Sequence, residues 1–203
     1  MVVAAVAIVP FAFGILHFAV TVNAQQLLDR VLAVVEGTTI TLSDVRAMRG
    51  LGVVSGATEA ESLEEVIDRQ LLLAEVQRFP PPEPVAGDVA KEAARLLAAP
   101  DLPRLMRETG LDETRVREMA RDTLRISGYL EQRFGTTVQV SDDEVDRYYR
   151  THQDEFLRDG LVIPFAEAEP IARERASVER LRALIGEWMA DLRDRAEIRR
   201  LGG

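Results

Sequence analysis

The chain has 203 residues, 47% apolar and 29% charged, which is typical of a soluble globular protein with length for a sizeable core. Its net charge is −9 and none of it falls on residues 1–24, so nothing electrostatic favours nucleic acid, whose phosphates need clustered cations. There is no cysteine, which excludes disulfides, thiolate chemistry, Cys-ligated zinc or iron, and a cysteine-linked lipid anchor.

Met1–Ala24 reads as a targeting segment. Its apolar run ends in Val22-Asn23-Ala24, with small or aliphatic residues where signal peptidase reads, so cleavage is expected between Ala24 and Gln25. The run from Val2 to Val22 is longer than the roughly 7–15 residues usual for a signal core and approaches the ~20 that span a bilayer. A retained membrane tether through residues 1–24 is therefore the alternative. Either way the remainder is expected outside the cytoplasm, periplasmic or anchored to the inner membrane facing the periplasm.

Val31–Val35 is β-branched and predicts a short buried strand. Glu36-Gly37 is a turn dipeptide and Thr38–Thr41 a second β-branched run, so the pair predicts a hairpin. Ser43 is the expected cap of a brief helix, with Asp44 suited to its N-terminal dipole. Thr58 to Glu61 forms a capping box that opens a helix to about Arg78, striped by Leu63, Val66, Ile67 and Leu71. Phe79-Pro80-Pro81-Pro82-Glu83-Pro84 ends that helix, because proline lacks the amide and clashes with the preceding turn; the segment reads as a stiff linker.

A helix is predicted over Ala86–Ala98, then a short turn flanked by Pro100 and Pro103. Gly110 suits a helix C-cap and Asp112 caps the next, the long periodic stretch Asp112–Phe134, which Gly135 ends. Thr136–Val140 is an extended link. Ser141-Asp142-Asp143-Glu144 is another capping box, opening a helix with Val145, Tyr148, Tyr149 and Phe156. Its three successive acids need no metal, since anions are favoured at a helix start. His152 stands alone on a polar helix face and His17 lies in the leader, so neither is assigned chemistry. Leu157–Pro164 reads as a loop. Phe165–Pro170 introduces a last long helix, with Trp188 as a core anchor. Ala196–Leu201 alternates apolar and polar and predicts a short strand. A two-stranded hairpin is marginal in water and a third strand makes it viable, so this strand is expected to join Val31–Thr41. The fold class is mainly α, a helical module with a small hairpin completed by a C-terminal strand.

No catalytic constellation, metal-ligand spacing or Gly-rich phosphate loop with Lys is present, so no cofactor is expected and any binding cycle is ATP-independent. Three stretches in order carry a resemblance: AVVEGTTITLSDV at 33–45, LEEVIDRQLLLAEV at 63–76 and VSDDEVDRYYRTHQDEF at 140–156. Together they resemble the SurA-type periplasmic chaperones and their relatives among the parvulin-type peptidyl-prolyl isomerases. The terminal GEWMADLRDRAEIRRL at 186–201 is similar to that family's closing helix and strand. The resemblance implies one helical chaperone domain over 25–203, with a core module at 31–156 and a closing helix and strand at 165–203. It implies unfolded or exported polypeptides as clients, held in an apolar groove between helices. In the isomerases a catalytic domain of about a hundred residues follows the paired-tyrosine helix. Here only Leu157–Pro164 stands between Phe156 and the closing helix, and the isomerase histidines have no counterpart. Two alternatives stand beside the chaperone: a prolyl isomerase using a cryptic site, and a membrane-tethered scaffold for one dedicated partner.

Overall fold

A computed structural model of the chain describes residues 29–135 and 139–201. The leader, the Ala24–Gln25 cleavage position and residues 136–138 of the link lie outside the described residues.

Strand β1 (Val31–Val35) and β2 (Thr38–Thr41) form the expected antiparallel hairpin. Glu36 and Gly37 take φ of 49° and 79°. Two successive left-handed residues make the turn whose twist matches that of paired strands. The C-terminal strand β5 (Ile198–Arg200) pairs antiparallel with the other side of β1, Val35 opposite Ile198 and Ala33 opposite Arg200. The sheet order is β2-β1-β5, as the alternation at Ala196–Leu201 predicts. Central position explains why Ala33 and Val35 are fully buried.

Among the described residues seven helices make the chain mainly helical. Helix α1 (Leu42–Gly50) leads into α2 (Glu59–Arg78), and the proline linker separates α2 from α3 (Ala86–Leu97). Then follow α4 (Leu102–Thr109), α5 (Glu113–Phe134), α6 (Asp142–Thr151) and α7 (Phe165–Arg195). Thr58 and Ser141 cap α2 and α6 through reciprocal boxes with Glu61 and Glu144, and Asp112 caps α5.

The structure corrects the sequence reading in several places. The cap of α1 is Thr41, in a box with Asp44; Ser43 instead gives its amide and its hydroxyl to the Asp29 carboxylate. The stretch after Pro100 is the two-turn helix α4. Pro103 stands in its first turn, where no amide partner is needed, and Gly110 (φ 70°) closes it. Phe156 is not in α6, which ends at Thr151; a 3-10 turn at Gln153–Glu155 intervenes. Residues 157–164 are not a plain loop, because β3 (Leu157–Arg158) and β4 (Leu161–Val162) pair there. Pro170 lies inside α7 rather than before it. Both it and Ala166, whose carbonyl loses its usual helical donor to the proline, are exposed.

Among the described residues three apolar clusters result. In the first, the sheet packs with α2, the C-terminal half of α5 and the C-terminal half of α7, through Ile67, Leu71, Tyr129, Phe134 and Trp188. The second joins α1, α3, α4 and the N-terminal half of α5, through Ala47, Leu96, Val116 and Met119. The third joins α6 to the N-terminal half of α7, through Val145, Phe156, Ala168 and Ala172. At 31 residues, α7 is about 46 Å long and contributes to both the first and the third.

Candidate functional site

Around the third cluster lie several features that core formation does not absorb; Phe79 and Val85 also stand exposed, at the proline linker. Helix α6 meets α7 along Ala168, Ala172 and Ala176, all buried at four-residue spacing, so the two backbones approach closely. Arg173 reaches across to Asp142 at 2.7 Å and fixes the start of α6 on α7. The three acids at 142–144 are thereby used: Glu144 in the cap, Asp142 in this ion pair, Asp143 in the first turn. Among the described residues no group of three or more His, Asp and Glu is placed to hold a metal ion.

The paired tyrosines have separate tasks. Tyr149 donates its hydroxyl to Ile163 O at 2.7 Å, and its ring lies 5.2 Å from Phe156 and 5.3 Å from Phe165. Ile163 N–H donates to Phe156 O at 2.9 Å, continuing the β3–β4 ladder at its base. This aromatic footing holds a hairpin that would be marginal alone. Tyr148 donates to Glu155 Oε2 at 2.9 Å, and Arg175 donates to the same oxygen at 2.7 Å. His152 stacks on Tyr148 with ring centroids 4.1 Å apart, and its Nδ1 lies 3.0 Å from Tyr148 O. It serves the last turn of α6 instead of standing on a polar helix face. A cleft of about 470 Å³ opens beside it, lined by Tyr148, His152, Glu155, Arg175, Val178 and Arg182.

The Tyr148 hydrogen bond, helped by Arg175, holds the Glu155 carboxyl below the usual carboxylate range. Burial, then the bond to Glu155, pushes the Tyr148 phenol above its ordinary value. Near neutral pH one is a fixed anion and the other a fixed donor. With Arg175 the pair braces α6 against α7.

Above this brace stands the β3–β4 hairpin. Asp159 and Gly160 form its turn at φ of 52° and 78°, the same geometry as Glu36-Gly37. Leu157 is opposite Val162 and Arg158 opposite Leu161. Cross-strand partners share a face, so both faces of the hairpin carry aliphatic groups. Leu157 is 53% exposed, Leu161 74% and Val162 43%. Arg158 bonds Glu167 at 3.0 Å, which brings the hairpin against the first turns of α7. Ile171 follows Glu167 by one turn and Val178 follows two turns later on the same side, both exposed. Five aliphatic side chains thus stand in water, three on the hairpin and two on the first half of α7.

Sequence reasoning missed this surface. The available signal was Asp159-Gly160 between two apolar-containing dipeptides, a strong two-residue hairpin pattern. The stripes of α2 and α5 are spent in the first two clusters, as a core requires. No protein-family model matches the chain, and no curated protein sequence matches it. Among the described residues no helix is long and apolar enough to cross a membrane.

Proposed function

We propose that the protein is an ATP-independent, chaperone-like module that binds unfolded or exported polypeptides outside the cytoplasm. The observation that carries this reading is the set of exposed aliphatic side chains at this end of the chain, Leu157, Leu161 and Val162 on the hairpin and Ile171 and Val178 on α7. Affinity would come from removing client side chains and these five groups from water, worth about 25 cal/mol per Å², with no fixed sequence demanded. The order of parts resembling the SurA-type chaperones supports the same reading, as does the apolar Met1–Ala24 segment for its location. The isomerases in that resemblance carry their catalytic domain between the paired-tyrosine helix and the closing helix, where this chain has only the hairpin.

The test is light scattering by several unrelated unfolded proteins, outer-membrane-type clients among them, diluted from denaturant with and without the full chain. Slower aggregation of most of them at near-stoichiometric ratio is expected. No effect on any removes the proposal, and an effect on one alone points to a scaffold for a dedicated partner. In a proline-containing tetrapeptide assay the chain is expected to leave the slow uncatalysed isomerisation rate unchanged.

A further inference from the structure

We infer that the clients taken by this surface are extended segments in which aliphatic residues lie beside Lys and Arg. The inference rests on the chaperone-like reading and adds to it a client chemistry. Residues 139–182, which make up α6, the hairpin and the first half of α7, carry eleven Asp and Glu against seven Arg and no Lys. That stretch holds −4 of the chain's net −9. Its acids stand among the exposed aliphatic groups. Asp154 precedes the hairpin, Asp159 sits at its tip, and Glu174 lies between Ile171 and Val178. Among the described residues these three form no ion pair, whereas Arg158 and Arg175 are each taken up by a carboxylate, Glu167 and Glu155. Arg147, Arg180 and Arg182 also form no ion pair among the described residues, and the net −4 includes them.

The charge decides between occupants of the apolar face. A second copy would bring the same −4 against itself, and an anionic lipid surface would be repelled. A basic, aliphatic segment gains on both counts: its apolar residues leave water on the hairpin and its cations meet Asp154, Asp159 and Glu174. Charges at the rim of such a contact select and steer more than they add affinity, and they are screened beyond about 8 Å at physiological salt.

The experiment is fluorescence anisotropy with the full chain and three labelled peptides that share one Leu/Val/Ile core. Their flanks are Lys and Arg, Ser and Gln, or Asp and Glu. The basic peptide is expected to bind about tenfold tighter than the acidic one at low salt, a difference of about 1.4 kcal/mol, with the gap closing in 0.5 M NaCl. The doubly substituted Leu161→Ser, Val162→Ser chain, changed only at exposed positions, is expected to keep its melting curve and lose affinity for all three. Equal affinity for the three peptides overturns the inference and leaves the chaperone-like reading standing. Unchanged affinity in the double variant overturns it by placing the site elsewhere. A dimer in sedimentation that the double variant abolishes, or binding to phosphatidylglycerol vesicles that it abolishes, overturns it in favour of that occupant. If no peptide binds, the inference falls; the chaperone-like reading falls with it only when aggregation is also unaffected.

Discussion

Glu64 ties the C-terminal segment to α2. Its carboxylate accepts from Arg193 Nη1 at 2.9 Å and from Arg200 Nε and Nη2 at 2.9 Å each, while Arg193 Nη2 also reaches its backbone carbonyl at 3.1 Å. The Arg200 hydrogen bond, joined by Arg193, holds the Glu64 carboxyl below the usual range. A carboxyl depressed in the folded state contributes stability above its unfolded value, near 4.3, and loses it as pH falls through the folded value. Glu64→Gln is therefore expected to lower stability near neutral pH by about 1 kcal/mol, since partly exposed pairs are screened. It should also flatten the acid side of the stability profile, measured by melting from pH 7 down to pH 3. Trp188 offers a second residue-level test. It is the only tryptophan, packed against Tyr129 and Phe134, with the Arg133 guanidinium 4.9 Å over its ring. Its Nε1–H is buried and has no acceptor among the described residues, which costs about 1–3 kcal/mol. Trp188→Ala should cost about 3–5 kcal/mol in urea unfolding, whereas Trp188→Phe, which removes the orphan donor along with part of the ring, should cost less than about 1.5 kcal/mol.

Among the elements, β5 is the closing piece. Glu36 N–H donates to Glu197 O at 3.0 Å and Leu201 N–H to Leu32 O at 2.7 Å, one at each end of its pairing with β1. Truncation after Arg195 removes these ladder bonds, at about 1 kcal/mol each, and uncovers one side of β1. A lower midpoint by circular dichroism and a broader transition are expected. This strand was legible because alternation over six residues admits only one period, and the need for a third strand then said where it goes. The caps at Thr58, Asp112 and Ser141 were legible because they depend on neighbours three residues away. What failed depended on distant residues or on short elements. Ser43 and Thr41 both offer a hydroxyl near Asp44, and Asp29, fourteen residues earlier, claims Ser43. Glu75 falls on the buried side of α2 because Arg78 and Tyr129 partner its carboxylate, and no apolar stripe predicts a buried acid. Helix α4 and the β3–β4 hairpin are too short for periodicity to register. The candidate surface was invisible for a further reason: the pattern of apolar residues shows which side chains suit a core, not which of them the core leaves outside.

In the whole molecule the two ends of α7 sit in unequal surroundings. Its C-terminal half enters a cluster of fifteen buried residues, and its N-terminal half a cluster of four. Less buried apolar area implies cheaper local opening. Amide exchange followed by mass spectrometry is expected to show α6, the hairpin and the first half of α7 exchanging faster than α2 and the second half of α7. On the proposed function, such an arrangement suits a surface that adapts to varied clients while the sheet and α2 stay closed, and the hairpin end of the molecule holds unfolded polypeptide. The most direct measurement is photo-crosslinking from a reactive residue placed at Leu161, compared with one placed at the exposed Arg117 on α5, each chain mixed with one client in its unfolded and its folded form. Crosslinks from position 161 to the unfolded client alone, and few from position 117, are the predicted result; equal yields from both positions, or none from 161, would contradict it.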